Sequence, residues 1–264
     1  MKKIIVLCWS IIMVFTLTAC SVKFEVRNKR NNSSLSSKTI EINKSVAFEG
    51  ESKIDIEIGC GKATLIGYEG NEIIISGTTN LSDEKIILTK EGNTIKIKDK
   101  SDNSINLFGD NNYRLDLEIK IPYSFNGDLH YEYGAGESEI KDIMCNNLSI
   151  NGGAGELTID DIVFNKLDFD SGVGHSNINL VRKCGDIDID GGVGDIYISL
   201  AEVGGNLTFE SGVGSGEIKI PENAPVYFNT SSGIGEASID VKTSSEKTYK
   251  FDLNVGIGEF LGFD

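Results

Sequence analysis

The 264-residue chain carries 25 basic and 40 acidic residues. Its formal net charge of −15 argues against a nucleic acid as partner. Thirty glycines against three prolines indicate strand-rich structure with frequent tight bends and argue against a mainly helical protein.

Residues 1–19 have the three-part plan of a secretory signal peptide. Lys2 and Lys3 precede an apolar stretch from Ile4 to Leu17, and small residues follow at Thr18 and Ala19. The apolar stretch is shorter than the roughly twenty residues that a membrane-spanning helix needs. We therefore predict that this segment is removed.

Leu17-Thr18-Ala19-Cys20 resembles the lipobox of bacterial lipoproteins, in which the cysteine thiol receives a diacylglycerol. Two or more acyl chains would hold the protein stably on a membrane, because each buried methylene contributes about 0.8 kcal/mol. We predict Cys20 as the lipidation site, and the alternative is an ordinary cleavage after Ala19 that leaves a free cysteine. The mature chain then has 23 basic and 40 acidic residues, a net charge near −17.

Residues 20–38 are predicted to form a flexible tether that begins at the lipidated cysteine. The segment is rich in Ser and Asn, and its charged residues are basic apart from Glu25. This composition suits anionic lipid headgroups. The basic residues are Lys23, Arg27, Lys29, Arg30 and Lys38.

From residue 39 to 264 the chain is organised by a repeated tripeptide, in which an apolar residue lies between two glycines. The successive steps are 19, 19, 20, 20, 21 and 23 residues, and Gly59-Cys60-Gly61 is an outlying copy. We predict that these glycines form corners, where their backbone freedom allows a sharp bend. They are Gly134 and Gly136, Gly153 and Gly155, Gly172 and Gly174, Gly192 and Gly194, Gly212 and Gly214, Gly233 and Gly235, and Gly256 and Gly258.

Apolar residues alternate with polar ones on both sides of each corner. Ile187 and Ile189 precede the corner at Gly192, and Ile196, Ile198 and Leu200 follow it. A two-residue period predicts a strand with one buried face on each side, which we call the first and the second arm. At the corner the alternation of inward-facing and outward-facing residues shifts by one residue.

A solenoid and an antiparallel meander both fit this repeat. We favour the solenoid because the central tripeptide residue is always apolar, and a corner would turn it into the core whereas a hairpin tip would expose it. The prediction is an all-β, single-domain, right-handed β-solenoid with parallel coils of about 20 residues, stacked about 4.8 Å apart.

Residues 68–128 break the period and are predicted as degenerate coils or a β-meander at the N-terminal end, while Phe260 and Phe263 would cover the last coil.

With these features in view, the chain resembles the bacterial toastrack family of β-strand-repeat proteins, also labelled "putative adhesins". The resemblance rests on residues 53–67 and on residues 117–122 followed by the seven glycine-marked coils. It implies a β-solenoid-like fold and a role at the cell envelope, often in proteins tied to membrane stress responses, without an established enzyme activity.

Residues suited to catalysis are few. His130 and His175, the only histidines, fall at predicted outward positions about two coils apart. Cys145 and Cys184 share a column two coils apart, about 9.6 Å, which exceeds the roughly 7 Å Cα limit for a disulfide. Cys60 takes an apolar corner position and is expected to act as a small buried hydrophobe.

Carboxylates form two predicted columns. The first is a candidate Ca²⁺ site on the outward face of the first arm, and its alternative is a solvated acidic face. It contains Asp168, Asp170, Asp188, Asp190 and Glu210. The second follows the corners and contains Glu137, Glu156, His175, Asp195, Ser215, Glu236 and Glu259.

The sequence therefore predicts a protein that is lipid-anchored on the extracytoplasmic face of the cell membrane and acts as a non-catalytic binding or scaffold module. It would be adhesin-like or accessory to envelope stress sensing, with an envelope protein or a cationic peptide as partner, no nucleic acid, and no cofactor other than the candidate Ca²⁺. The alternative is a carbohydrate-active β-helix enzyme acting on envelope polysaccharide, whose site would pair acids with basic or aromatic groups in a groove.

Overall fold

The structure, a computed structural model, describes residues 39–100 and 113–264. The predicted signal peptide, Cys20 and the predicted tether lie outside these residues. Within the two described ranges, no helix has the length and apolar character needed to cross a membrane.

Strands account for nearly all of the regular structure in the described residues, as the alternating patterns predict. A short 3-10 turn at Asp83–Lys85 is the exception. The strands are β1 (Ile40–Ala47), β2 (Lys53–Tyr68), β3 (Glu72–Thr79), β4 (Ile86–Glu91), β5 (Thr94–Asp99), β6 (Leu115–Pro122), β7 (Asp128–Lys141), β8 (Asn147–Asp160), β9 (Lys166–Leu180), β10 (Asp186–Leu200), β11 (Leu207–Lys219), β12 (Val226–Asp240) and β13 (Tyr249–Phe263).

The long strands stack in parallel, which confirms the solenoid. Their order is β2-β7-β8-β9-β10-β11-β13-β12, and each runs through a corner so that both arms pair with the neighbouring coil. Ile187 lies beside Leu167 on one side and Leu207 on the other. Residues one repeat apart therefore lie over one another, and their buried faces form one continuous core.

The central tripeptide residues face outward, so the prediction that they turn into the core is wrong. Val173, Val193 and Val213 are exposed, and Cys60 and Ala135 are only half-buried. The two arms wrap around the core, and the residue at the apex of the bend consequently points away from it. The parallel register of the coils, and not the orientation of these residues, establishes the solenoid.

Glycine is required at the corners because successive corners lie directly on top of one another. A Cβ atom added to Gly174 would lie 1.8 Å from the carbonyl oxygen of Gly155 in the preceding coil. Gly174 also has a φ of +146°, a conformation that side-chain-bearing residues rarely adopt. The glycine columns thus allow the coils to approach at normal strand spacing, and the inward phase slips there as predicted.

The irregular N-terminal end contains one coil that is split between two strands. β5 pairs in parallel with the first arm of β2, and β6 pairs in parallel with its second arm. β4 and β5 form a hairpin that turns at Gly92 and Asn93, while β3 pairs antiparallel with β6 and β1 with β3. This end therefore combines a degenerate coil with antiparallel strands, the two arrangements that the sequence left open.

The C-terminal end departs from sequence order, since β13 lies between β11 and β12. Phe260 on β13 is fully buried beside Gly216 of β11, where a Cβ would meet its ring at 2.4 Å. The prediction that Phe260 and Phe263 cover the last coil is thus wrong, because β12 is the terminal coil. Small and large side chains alternate in this inward column from β7 onward: Ser138, Leu157, Ser176, Ile196, Gly216, Phe260 and Ala237.

Candidate binding surface

The corners carry a continuous row of exposed apolar side chains, which we call the ridge. Its members lie on adjacent coils in the order Val173, Val193, Val213, Ile257 and Ile234. They are between 44% and 71% exposed. Glycines flank each of them, so the ridge stands clear of neighbouring side chains. Single exposed valines are ordinary, but an unbroken row is a feature of interaction surfaces.

An acidic column runs beside the ridge and contains the predicted corner residues. The order on adjacent coils is Glu137, Glu156, His175, Asp195, Ser215, Glu259 and Glu236. Lys62 pairs with Glu137 at 3.5 Å, and His175 Nδ1 lies 3.3 Å from Asp195 Oδ2. The Ser215 backbone N–H donates to Asp195 Oδ1 at 3.1 Å. Since the column contains five carboxylates and Lys62 pairs with one of them, it remains acidic.

A groove of about 610 Å³ adjoins the acidic column on the second arm. Leu157, Ser176 and Ile196 form its floor. Polar side chains line its walls: Glu156, Thr158, His175, Asn177, Asp195, Tyr197, Ser215 and Glu217. Smaller hollows continue it along the stack towards Lys62 and Glu139, and along the second arm towards Asn179.

Sequence reasoning missed the outward column of the second arm that lines this groove. Thr158, Asn177, Tyr197 and Glu217 each lie three residues after the second glycine of a corner and are register neighbours. The repeat period was sufficient to align them. Their chemical diversity hid the column, because no single residue type marks it.

The predicted Ca²⁺ candidates share the outward face of the first arm, where they form two adjacent columns. Asp168 lies beside Asp188, Asp170 beside Asp190, and Asp190 beside Glu210. Lys166 Nζ lies 2.5 Å from Asp168 Oδ1 and neutralises that end. In the described ranges, no group of three or more His, Cys, Asp or Glu side chains is arranged to hold a metal ion. A Ca²⁺ site and a solvated acidic face stay the two alternatives for these residues, and the ion pair with Lys166 favours the solvated face.

Both histidines occupy the outward positions expected of them. His130 Nε2 lies 3.9 Å from Asp55 Oδ1, and His175 contacts Asp195. They lie on β7 and β9, separated by β8, so they do not form one site.

Cys145 and Cys184 are buried, unbonded thiols. Burial raises the pKa of Cys145 to about 12. The Cys184 thiol also has a raised pKa because of burial, and it donates a hydrogen bond to the Ile162 carbonyl oxygen at 3.0 Å. Both groups are therefore protonated near neutral pH and are unsuited to act as nucleophiles.

The sequence matches the family model Toastrack DUF4097 over residues 51–254. The chain belongs to the toastrack family. The family match covers the split N-terminal coil of this toastrack protein and its corners from Gly59 to Gly235, and it ends just before the corner at Gly256. Among curated proteins, none matches the sequence.

Solved structures similar to this toastrack chain cover most of its length at low identity. A "putative cell adhesion protein" from Clostridium sporogenes is 17% identical, with a TM-score of 0.43, and covers 85% of this chain and 99% of its own. A "putative adhesin" from Bacteroides fragilis is 19% identical, with a TM-score of 0.45 and coverages of 87% and 99%. One from Parabacteroides merdae is 14% identical, with a TM-score of 0.47 and coverages of 86% and 97%.

Proposed function

We propose that the protein is a non-catalytic binding module, anchored through Cys20 on the extracytoplasmic face of the cell membrane. The observation that carries this proposal is the ridge beside the acidic column and groove. Together they form an extended, amphipathic surface on a stack of coils. Such a module would serve as an adhesin-like element or as an accessory to an envelope stress sensor.

The partner that fits this surface is a cationic, amphipathic peptide segment. Its apolar side chains would pack on the valines and isoleucines of the ridge, while its basic side chains would meet carboxylates such as Glu156, Asp195 and Glu217. Electrostatic complementarity of this kind steers association and selects against acidic partners. The strongly negative mature chain adds to the attraction of a cation at long range.

Titration of the detergent-extracted full chain with a peptide of alternating Lys and Leu tests the binding surface, with a Glu and Leu peptide as the opposite-charge control. The variant Glu156→Gln with Asp195→Asn removes two carboxylates at the groove. Asp188→Asn with Asp190→Asn removes the same charge from the first arm and is the matched control. Exposed ion pairs contribute up to about 1 kcal/mol each, so the groove variant should weaken binding by roughly tenfold and the control much less. Equal weakening by both variants, or equal binding of both peptides, contradicts the proposal.

The anchor is tested separately by metabolic labelling with an alkyne fatty acid. The wild-type chain should carry the label and sediment with membranes. Cys20→Ala should lose the label and leave the membrane fraction. A labelled Cys20→Ala chain would place the lipid elsewhere.

A further inference from the structure

The terminal strand β12 leaves one side of the solenoid open. In the described part of the chain it pairs only with β13. Its inward side chains Phe228, Ala237 and Ile239 are half-buried, whereas Phe251 and Phe260 at the neighbouring positions of β13 are fully enclosed. A stacked core needs its end closed, and β12 does not close it.

The edge strands at the other end differ from β12 in length and charge. β1 has eight residues and contains Lys44, and β4 has six and contains Lys90. Lys90 is held by ion pairs with Glu49 and Glu51. Short edges and lysines discourage further strand pairing. β12 has fifteen residues with no Lys, Arg or Pro among them, so these safeguards are missing where the core is open.

We propose that the free edge of β12 pairs antiparallel with β12 of a second copy, forming a symmetric dimer around the open end of the core. This inference does not depend on the proposed function. Only an antiparallel arrangement, with a two-fold axis through the corner, joins the two free edges and keeps both cores on the same side. The first arm of one copy then lies along the second arm of the other.

The phase slip at the corner makes the strand complementary to itself. Opposed residues of an antiparallel pair point to the same face. With the axis between Gly233 and Ile234, Val226 lies opposite Val241 and Phe228 opposite Ile239. Apolar inward residues thus meet at these two positions, and Ala237 lies opposite Thr230, so that the core of each copy closes against that of the other.

The same register separates the charges of the strand. Glu236 lies opposite Ser231, and Asp240 lies opposite Tyr227. No carboxylate of β12 therefore opposes another, despite the acidity of the chain. The two β1 strands, at the far ends of the strand order, would lie at opposite ends of the dimer.

Cysteine crosslinking of the full chain in native membranes tests the axis. Ile234→Cys places an exposed thiol beside the axis and should give a covalent dimer under mild oxidation. Val173→Cys is the matched control, since it is an exposed corner residue on β9, separated from β12 by β10, β11 and β13. Two copies of residue 173 would be roughly 40 Å apart in the dimer. Equal crosslinking at both positions, or none at 234, overturns the proposal.

Two variants with opposite charge patterns on β12 test the register of the dimer. Sedimentation of the detergent-extracted chain measures the dimer affinity of each. Asn229 and Ser238 are exposed and lie opposite each other across the axis. Asn229→Lys with Ser238→Lys creates two like-charge pairs and should weaken dimerisation by roughly tenfold or more compared with Asn229→Lys with Ser238→Glu, which creates two attractive pairs. A wild-type chain that is monomeric at all concentrations, as expected if a different protein covers β12, overturns the proposal. So does an equal dimer affinity of the two variants.

Discussion

The hydroxyl groups of Tyr131 and Ser138 lie 2.6 Å apart and join the two arms of β7 inside the core. Both residues are buried, and burial raises the pKa of the tyrosine. This hydrogen bond links the arms across the corner at Gly134 and Gly136, two residues whose backbone is intrinsically free to bend. It fixes the angle between the arms from the inside.

Removal of either hydroxyl should destabilise the protein because its partner stays buried without a hydrogen bond. Tyr131→Phe and Ser138→Ala should each lower the free energy of unfolding by about 1–3 kcal/mol. The double variant should cost less than the sum of the two, since both polar groups are then gone. Urea unfolding of the four proteins measures this coupling, and strictly additive losses would show that the two hydroxyls act independently.

The stacked glycines should tolerate no side chain. Gly174→Ala introduces a Cβ that collides with the Gly155 carbonyl oxygen and also forces alanine into a positive φ. Gly50→Ala is the control, because Gly50 has a φ of +97° but no atom within 4 Å of the added Cβ. The control should lose about 1–3 kcal/mol from backbone strain alone, and Gly174→Ala considerably more. Similar melting temperatures for the two variants would mean that the coils separate easily.

Stability should decrease in alkaline solution because burial raises the pKa of Cys145 from 9.0 to about 12. Between these values the unfolded chain releases a proton that the folded chain retains, so the free energy of unfolding falls as pH rises through this window. The slope contributed by one such group is at most about 1.4 kcal/mol per pH unit. Cys145→Ala should flatten the decline between pH 9 and 12, as measured by urea unfolding at each pH. An unchanged slope would place its origin in other groups, such as Tyr131, whose pKa is shifted in the same direction.

The acidic face of the first arm should behave as a solvated surface. Like charges 5 Å apart in water repel by only about 0.8 kcal/mol, and Lys166 offsets part of this repulsion. Asp188→Asn with Asp190→Asn should therefore raise the melting temperature slightly at low salt and not at high salt. Millimolar Ca²⁺ should leave the melting temperature of the wild type unchanged. A rise that the double variant abolishes would instead establish the predicted calcium site.

Periodicity predicts most of this fold because it reports which residues share a face. The columns of Asp168 with Asp188 and of Glu156 with His175 follow directly from the period. The outward orientation of Val193 did not, because an apolar residue between two glycines carries no information about which side of a bend it occupies. The same alignment of repeats could also have predicted the outward column that contains Tyr197, but the residues of that column belong to different chemical types.

The position of β13 between β11 and β12 is the other feature that the repeat period could not predict, since both strands carry the repeat. The signal was weak but present. Thr230 holds a position where the other coils have a large apolar residue, as Leu253 does in β13. A coil with a weaker apolar pattern is better tolerated at an edge than inside the stack.

The packing of Phe260 against Gly216 explains why β13 takes the inner position, and it gives the sharpest test of the strand order. The ring of Phe260 fills the space that glycine leaves and packs edge-to-face with Phe209, with ring centroids 5.1 Å apart. Ala237 of β12, in the same place, would leave a cavity beside Gly216.

Phe260→Ala should thus cost about 3–5 kcal/mol of stability. Gly216→Ala should also destabilise the protein, since its Cβ meets the ring at 2.4 Å. In the Phe260→Ala background the Gly216→Ala change should cost clearly less, because the collision with Phe260 is gone and only the contact with the Phe209 ring, at 2.8 Å from the added Cβ, has to relax. Unfolding free energies of the four proteins test this, and a Gly216→Ala cost that is equally large with and without the Phe260 ring would show that Phe260 does not lie against Gly216.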